Sequence, residues 1–227
     1  MSKNIFIAFI ILFSNFIQAQ SLTGTTGLIT IPSAEVMRDG EFSIGVYYSP
    51  REVLRENSFD YNSLLIFAMG SYLPFLEIGL RSTYPFQFKE HAIGDRMPIV
   101  RIKLFSEKEL LPSVLVGVHD FLSVYGGNSA VHFNALYLVM TKNFYEGKMS
   151  LTLGYGSDLI KAEGHQFVGL FGGINIKLLN ALELMTEYDA ERFNTGFRLT
   201  LFNHLKLLAG FLNMRHFSGG ASFSFQL

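Results

Sequence analysis

Charged side chains recur at every second position within several apolar segments, and these are the residues that could do chemistry. In Leu76-Glu77-Ile78-Gly79-Leu80-Arg81, polar or small residues alternate with aliphatic ones. Successive side chains of a β-strand point to opposite faces, so this pattern predicts a strand with one apolar and one charged face. The same alternation predicts a shared polar face for Glu77, Arg81, Arg101, Lys103, His119, Glu183, Glu187 and Arg198.

Both signs of charge occur in this set of eight residues, which leaves two interpretations. One is a network of ion pairs and hydrogen bonds that fills and stiffens the interior of a small barrel. The other is a path lined to bind a sugar or to select an ion. We favour the structural interpretation, because a small barrel must fill its interior with side chains.

Familiar catalytic and cofactor motifs are absent from the sequence. His119 and Asp120 are neighbours, so on a strand they would point to opposite faces and could not act as a base with its orienting carboxylate. Gly154-Tyr155-Gly156 lacks the third glycine and the following helix of a nucleotide-binding loop. There is no cysteine, no GxSxG, no HExxH, and no metal-ligand spacing among the histidines. We therefore expect no catalytic residue, metal or cofactor.

The elements that would position the polar residues are short strands. From Glu41 onward, twelve segments show period-two patterning, each near the length of a tilted transmembrane strand. No stretch beyond residue 20 stays apolar for the roughly 20 residues that a spanning helix needs. The predicted strands are 41–49, 60–70, 75–84, 95–105, 112–122, 131–142, 148–156, 166–177, 181–189, 193–202, 205–213 and 219–227.

The connections between these segments alternate in length. Those after even-numbered segments are tight, as at Leu179-Asn180, and those after odd-numbered segments are longer and more polar, as at Pro50–Phe59. Ser106–Leu111 is the exception, a longer connection where a tight turn is expected. Outer-membrane barrels combine short periplasmic turns with longer outer loops. The sequence thus predicts an all-β protein, a single antiparallel transmembrane β-barrel of about 12 strands, of the outer-membrane type.

The two ends of the sequence predict export and barrel closure. Lys3, the apolar stretch Ile5–Ile17 and Gln18-Ala19-Gln20 indicate a signal peptide, 1–19, that is cleaved as the chain leaves the cytoplasm. We expect residues 20–40 to form a periplasmic segment that plugs or braces the lumen, and 41–227 to form the barrel. The last strand alternates aromatic and polar residues, and we expect it to close the barrel and to be read by the barrel-assembly machinery. Its signature residues are Gly220, Phe223, Phe225 and Leu227.

Tyrosines near the predicted strand ends suit the aromatic girdles that mark membrane interfaces. They are Tyr47, Tyr48, Tyr72, Tyr84, Tyr125, Tyr155 and Tyr188.

Several motifs resemble one family. They are Thr23-Gly24-Thr25-Thr26-Gly27-Leu28-Ile29-Thr30-Ile31-Pro32-Ser33-Ala34 with Asp39-Gly40, Gly94-Asp95-Arg96 leading into Arg101-Ile102-Lys103, Val116-Gly117-Val118-His119-Asp120-Phe121, and the turn Glu187–Asn194. Together they look like the YjbH family of exopolysaccharide-related outer-membrane proteins. The resemblance implies a barrel in the cell outer membrane that is linked to the production or export of extracellular polysaccharide.

The expected function is therefore that of a non-enzymatic accessory to exopolysaccharide or capsule production. Two alternatives stay open: a barrel enzyme acting on lipid, and a small-solute pore. Expected partners are outer-membrane lipid, the barrel-assembly machinery, and extracellular polysaccharide with its export proteins. The net charge of −1 gives no indication of a nucleic-acid partner.

Overall fold

A computed structural model describes residues 20–53, 61–86, 95–124, 134–159 and 167–227. The predicted signal peptide and parts of four longer connections lie outside these ranges. The strands are β1 (Glu41–Ser49), β2 (Ser63–Leu73), β3 (Leu76–Pro85), β4 (Asp95–Phe105), β5 (Ser113–His119), β6 (Ala135–Phe144), β7 (Met149–Ser157), β8 (Gly169–Leu179), β9 (Leu182–Tyr188), β10 (Phe193–Leu201), β11 (Leu205–Leu212) and β12 (His216–Gln226). A short 3₁₀ turn, Phe121–Val124, follows β5.

These strands form one closed antiparallel barrel in which each strand pairs with its neighbours in sequence and β1 pairs with β12. This confirms the predicted fold class, and each predicted segment overlaps one observed strand. The connection at 106–112 lies between β4 and β5, so the barrel tolerates a longer turn there. Within the described ranges, no helix is long and apolar enough to cross a membrane.

The wall separates an apolar exterior from a polar interior, as the alternation predicts. On β3, Ile78 and Leu80 are 50% and 46% exposed on the outside, whereas Glu77 and Arg81 are buried on the inside. An outer face of this kind suits contact with lipid, because apolar side chains there replace the polar surface of a soluble protein. Each of the twelve described strands is paired on both sides, so their backbone groups do not depend on lipid, which could not satisfy them.

The barrel closes at the β1–β12 seam, where Tyr47 is registered against Gly220. A Cβ atom on Gly220 would lie 2.1 Å from the carbonyl oxygen of Val46. Because real side chains do not approach so closely, this position needs glycine for the two strands to pair. The seam therefore depends on backbone contact as well as on its outward aromatic residues.

The lumen is occupied by the chain that precedes β1. Residues 20–34, with Val36 and Met37, are buried. We call residues 20–37 the luminal segment. It folds back on itself: the N–H of Leu22 donates to the carbonyl of Ile29, and the N–H of Ser33 donates to that of Thr26. Gly173 of β8 leaves it room, since a Cβ there would lie 2.7 Å from Leu28 Cδ2.

Candidate functional site

The first anchor of the luminal segment is an ion pair on β3 and β4. Glu77 and Arg101 are directly registered across the two strands, and Arg101 Nη1 donates to Glu77 Oε1 over 2.7 Å. The Glu77 carboxylate also accepts the backbone N–H of Thr26 and of Met37. Arg101 Nη2 donates to the carbonyl of Ser33. Both side chains are fully buried, so each charge depends on these partners for its solvation.

A second anchor repeats this design on β9 and β10. Glu183 and Arg198 are registered across the strands, and Arg198 Nη1 donates to Glu183 Oε2 over 2.8 Å. Arg198 Nη2 donates to the carbonyls of Gly27 and Leu28, at 2.8 and 2.7 Å, and more distantly to that of Gln20. The guanidinium therefore satisfies carbonyl groups that would otherwise be buried without a donor.

Glu187 forms a third anchor that relies on backbone N–H groups. Its carboxylate accepts the N–H of Ile29 at 2.9 Å, of Thr30 at 2.7 Å and of Ile31 at 3.4 Å. Asn194, its registered neighbour on β10, donates to it at 3.0 Å. Three successive N–H groups around one carboxylate make a concave anion site built from backbone. This contact fixes residues 29–31 of the luminal segment against β9.

Two lysines tie the segment to the end of the barrel where the short turns lie. Lys103 on β4 pairs with Glu35 over 2.6 Å, and Ser113 also donates to Glu35. Lys206 on β11 donates to the side-chain oxygen of Gln20 at 3.2 Å. Both ends of the luminal segment are therefore held near the chain's entry into β1.

The lumen wall at β5–β8 is closed by aromatic rings. The phenol of Tyr137 and Nε2 of His119 lie 3.2 Å apart, and Phe167 stacks edge-on against the same imidazole. Phe171 packs against Tyr137 and Phe167. A Cβ on Gly154 would lie 2.3 Å from the Phe171 ring. We call His119, Tyr137, Phe167 and Phe171 the aromatic cluster.

All eight residues of the predicted polar face lie on the inner surface of the wall. Seven are buried and Lys103 is partly buried. The structure brings Glu77 together with Arg101, and Glu183 with Arg198. His119 belongs to the aromatic cluster, and Arg81 is buried at the middle of β3. Whether the set serves structure or ligand binding stays a prediction.

Sequence reasoning missed several residues that hold the luminal segment. Lys206 follows the same alternation, Leu205-Lys206-Leu207, so its pattern could have identified it. Asn194 also follows it, because it lies four residues before Arg198 in the predicted strand 193–202 and therefore on the same face. Glu35 carries no such signal, because it lies outside the strands. The prediction that Tyr47 belongs to an outer girdle is wrong: it is 1% exposed and stacks on Phe67 inside the barrel. Tyr125 lies outside the described residues.

The closing strand presents its aromatic residues outward. Phe223 and Phe225 are 46% and 38% exposed, and they stack against each other. Phe225 also stacks on Phe42 of β1, across the seam. Leu227 follows β12 and is exposed. These positions fit the predicted closing strand, and recognition by assembly machinery stays a prediction.

The inner surface offers hydrogen bonding and charge, without a cluster suited to a metal. Among the described residues, no group of three or more His, Asp or Glu side chains could hold a metal ion. Gly154-Tyr155-Gly156 lies within strand β7. A cavity of about 340 Å³ lies between the luminal segment and the wall at β6–β10, and it is a candidate for a small polar ligand.

Comparison with solved structures finds the same type of fold. The structure titled "KdgM porin" aligns with a TM-score of 0.52 at 11% identity, covering 82% of this chain and 99% of that chain. Ail, the attachment invasion locus protein of Yersinia pestis, aligns with a TM-score of 0.19 at 9% identity, covering 82% and 99%. No curated protein matches the chain.

The sequence also matches a family model. The match spans residues 19–167, and its description reads "Exopolysaccharide biosynthesis protein YbjH". It includes the luminal segment and the first strands of the wall, which are the regions that carry the Glu77–Arg101 anchor. Because the match covers more than half of the sequence, this protein belongs to the YjbH family of exopolysaccharide biosynthesis proteins.

Proposed function

We propose that this protein is a non-enzymatic accessory to exopolysaccharide production or export and that it acts from the outer membrane with its lumen closed. The observation that carries the proposal is the luminal segment, which is buried inside the barrel and bound by Glu77, Arg101, Glu187 and Arg198. A barrel filled in this way is a poor conduit for a polymer. It is better suited to bind a partner or a polysaccharide end.

Deletion of the gene, with secreted polysaccharide measured, tests this accessory role. Secretion should fall and should recover when the wild-type gene is restored. A second complementing copy should carry Phe223→Asp and Phe225→Asp, which place two charges on the lipid-facing side of β12. A Lys or Arg on the lipid-facing side costs roughly 2–4 kcal/mol near the membrane midplane and an Asp less, but the two aspartates act together, so this copy should give less folded barrel and should not fully restore secretion. Unchanged secretion in the deletion strain would contradict the proposal.

The outer-membrane location rests on the apolar exterior of a closed barrel and on the predicted signal peptide. We expect the mature chain to begin after Ala19 and to fractionate with the outer membrane. Unheated samples should migrate differently on a gel from boiled ones, as folded barrels commonly do. Recovery of the mature protein from the soluble periplasmic fraction would overturn this assignment.

The non-enzymatic part of the proposal is supported by the surroundings of the histidines in the described ranges. His119 contacts Tyr137, His204 contacts the backbone carbonyl of Ser224, and His216 lies near Glu52. In those ranges, none hydrogen bonds to a serine hydroxyl, which a serine esterase needs. Incubating the folded protein with phospholipid vesicles should release no fatty acid, and measurable release would favour the lipid-enzyme alternative.

A small-solute pore is the second candidate, and the likeness to the fold of the KdgM porin favours it. The two candidates differ in whether the luminal segment stays in place. If it does, the wild-type protein should give little steady conductance in planar bilayers. A large and stable conductance would mean that the inner charges line a channel, and the pore would then replace the closed accessory as the function.

A further inference from the structure

The cavity beside the luminal segment is lined by polar residues, and the contacts that anchor the segment leave some of their hydrogen-bonding atoms without a partner among the described residues. It lies at the short-turn end of the barrel, between Thr26 and Ser33 of the luminal segment and the wall residues Ser150, Asn175, Glu183 and Arg198. Its volume is about 340 Å³, within the range of small-molecule sites. The space is therefore large enough for a ligand of several heavy atoms, and most of the residues that line it are polar.

Two wall residues of this cavity meet at one oxygen atom. Asn175 Nδ2 donates to Glu183 Oε2 at 3.4 Å, and Arg198 Nη1 donates to the same oxygen at 2.8 Å. The three side chains thus form one hydrogen-bonded group on β8, β9 and β10. Because they are tied together, their remaining polar atoms are held in fixed positions beside the cavity.

Two atoms of this group are buried without a partner among the described residues: the acceptor Asn175 Oδ1 and the donor Arg198 Nε. Buried polar atoms are nearly always hydrogen-bonded, so an exception calls for a ligand or a water molecule. A hydroxyl group donates one hydrogen bond and accepts others. A hydroxyl could therefore satisfy either atom, whereas a carboxylate could satisfy only the donor.

The charges that line the cavity also favour a neutral ligand. Glu35 and Glu183 oppose Lys177 and Arg198. Glu35 is further paired with Lys103, and Glu183 with Arg198. A ligand with a net charge would have to compete with these pairs. A polyhydroxyl ligand needs only hydrogen bonds, which the amide, carboxylate and guanidinium groups supply.

We propose that this cavity binds a neutral sugar residue, held by Asn175, Glu183 and Arg198 against the luminal segment. The choice of a sugar rests on the proposed function, since the hydroxyl chemistry alone would admit other neutral polyols. The cavity would then hold one residue of a saccharide at the turn end of the barrel while the lumen stays closed.

The test is ligand-observed saturation-transfer NMR on the folded full barrel in a zwitterionic detergent, because detergents with sugar headgroups would compete. The probes are glucose, galactose and N-acetylglucosamine, with glucuronate as the acidic comparison. At least one neutral sugar should bind the wild-type protein. No binding by any neutral sugar, or binding by glucuronate alone, would overturn the proposal.

Two variants locate the binding by different means. Asn175→Leu removes the unpartnered acceptor, and Ser150→Phe fills the cavity from β7, at the position registered across from Asn175. Each should weaken sugar binding on the order of tenfold or more, the factor that corresponds to about 1.4 kcal/mol. If Asn175→Leu does not fold, Ser150→Phe still decides the question. Sugar binding that survives in Ser150→Phe would show that it occurs elsewhere.

The matched control is Thr83→Val. Thr83 is buried, and its hydroxyl likewise has no hydrogen-bond partner among the described residues, but it does not line the cavity. Its replacement should leave sugar binding unchanged. Loss of binding in the control would point to general loosening of the barrel and would count against the site. A secretion defect on gene deletion without sugar binding would remove this site and leave the proposed function standing.

Discussion

Where β9 and β10 form the wall, charged side chains bind the backbone of the luminal segment, whereas at β5–β8 aromatic rings from the wall and its connections fill the space. Glu187 receives three backbone N–H groups from residues 29–31. By contrast, Phe171 packs on Tyr137 and Phe167, above Gly154. The Glu187 carboxylate in the polar half of the lumen, at β9–β10, keeps most of its hydrogen bonds only with the segment in place. The rings of the aromatic half, at β5–β8, pack mainly on one another.

The difference matters because a buried charge that loses its partners and an apolar ring that loses a contact lower the free energy of unfolding by different amounts. In the described ranges, Glu187 forms no ion pair, so loss of the segment would leave a buried carboxylate with Asn194 as its remaining donor. The aromatic cluster would lose no hydrogen bond to the segment that the structure shows. Substitutions in the polar half should therefore release the luminal segment from its place in the lumen. Substitutions in the aromatic half should lower the stability of the barrel and leave the segment bound.

The largest effect is expected from Arg198→Met, which keeps the length of the side chain and removes its charge. The change leaves Glu183 buried without its cation and three segment carbonyls without a donor. Breaking a buried ion pair from one side costs about 3–5 kcal/mol. The midpoint of urea unfolding, followed by the gel shift of the folded barrel, should fall accordingly.

The control for this variant is Arg51→Met. The Arg51 side chain is 57% exposed and pairs with the adjacent Glu52. Exposed pairs contribute little, about 0–1 kcal/mol. If both variants unfold at the same urea concentration, the buried anchor does not hold the barrel together.

Glu187→Gln tests the backbone anchor with a smaller change. The new amide nitrogen would face N–H donors of the segment, leaving at least one of them without an acceptor. An unsatisfied buried donor costs about 1–3 kcal/mol. Hydrogen exchange of the amides of residues 29–31 should accelerate, because that turn would open locally. The same change at the partly exposed residue Glu52 should leave their exchange unaltered; equal acceleration would refute the anchor.

The wall could be predicted from sequence because a strand between lipid and lumen has one dominant constraint, which is the face that each residue occupies. That is why the alternation around Glu77 and Glu183 identified inward residues. Pairing depends on strand register, so the partners of Arg101 and Arg198 could not be derived from spacing. Tyr47 was misplaced because the girdle assignment did not apply the alternation: Tyr48 shares the outward face of Ile44 and Val46, so its neighbour Tyr47 faces inward, where it stacks on Phe67. The path of residues 20–37 has no periodicity and follows the shape of the lumen.

Phe171→Leu should have a modest effect that leaves the luminal segment in place. The substitution keeps the site apolar but removes part of a buried ring, so it should cost on the order of 1–2 kcal/mol from the lost contacts and the small cavity. Exchange of the amides of residues 29–31 should stay at its wild-type rate while the urea midpoint falls slightly. Phe193→Leu, at a position 61% exposed on the outer side, is the matched control. Faster exchange at residues 29–31 in Phe171→Leu alone would show that the two halves of the lumen are coupled.

The smallest effect on stability is expected outside both halves of the lumen, at the turn between β4 and β5. Partial burial raises the pKa of Glu107, but hydrogen bonds from Lys142 and from Asn143 outweigh this, so the pKa lies below its ordinary value of 4.5. A carboxyl with a lowered pKa stabilises the folded turn above its ordinary pKa and loses that contribution as the pH falls through the lowered value. The N–H of Asn143 donates to Glu107 Oε1 at 3.0 Å, so its NMR shift should titrate below pH 4.5. The titration should vanish in Glu107→Gln, and hydrogen exchange at residues 29–31 should not follow it. If exchange at residues 29–31 accelerated as Glu107 became protonated, the turn between β4 and β5 would help to hold the luminal segment in the lumen, together with the luminal anchors.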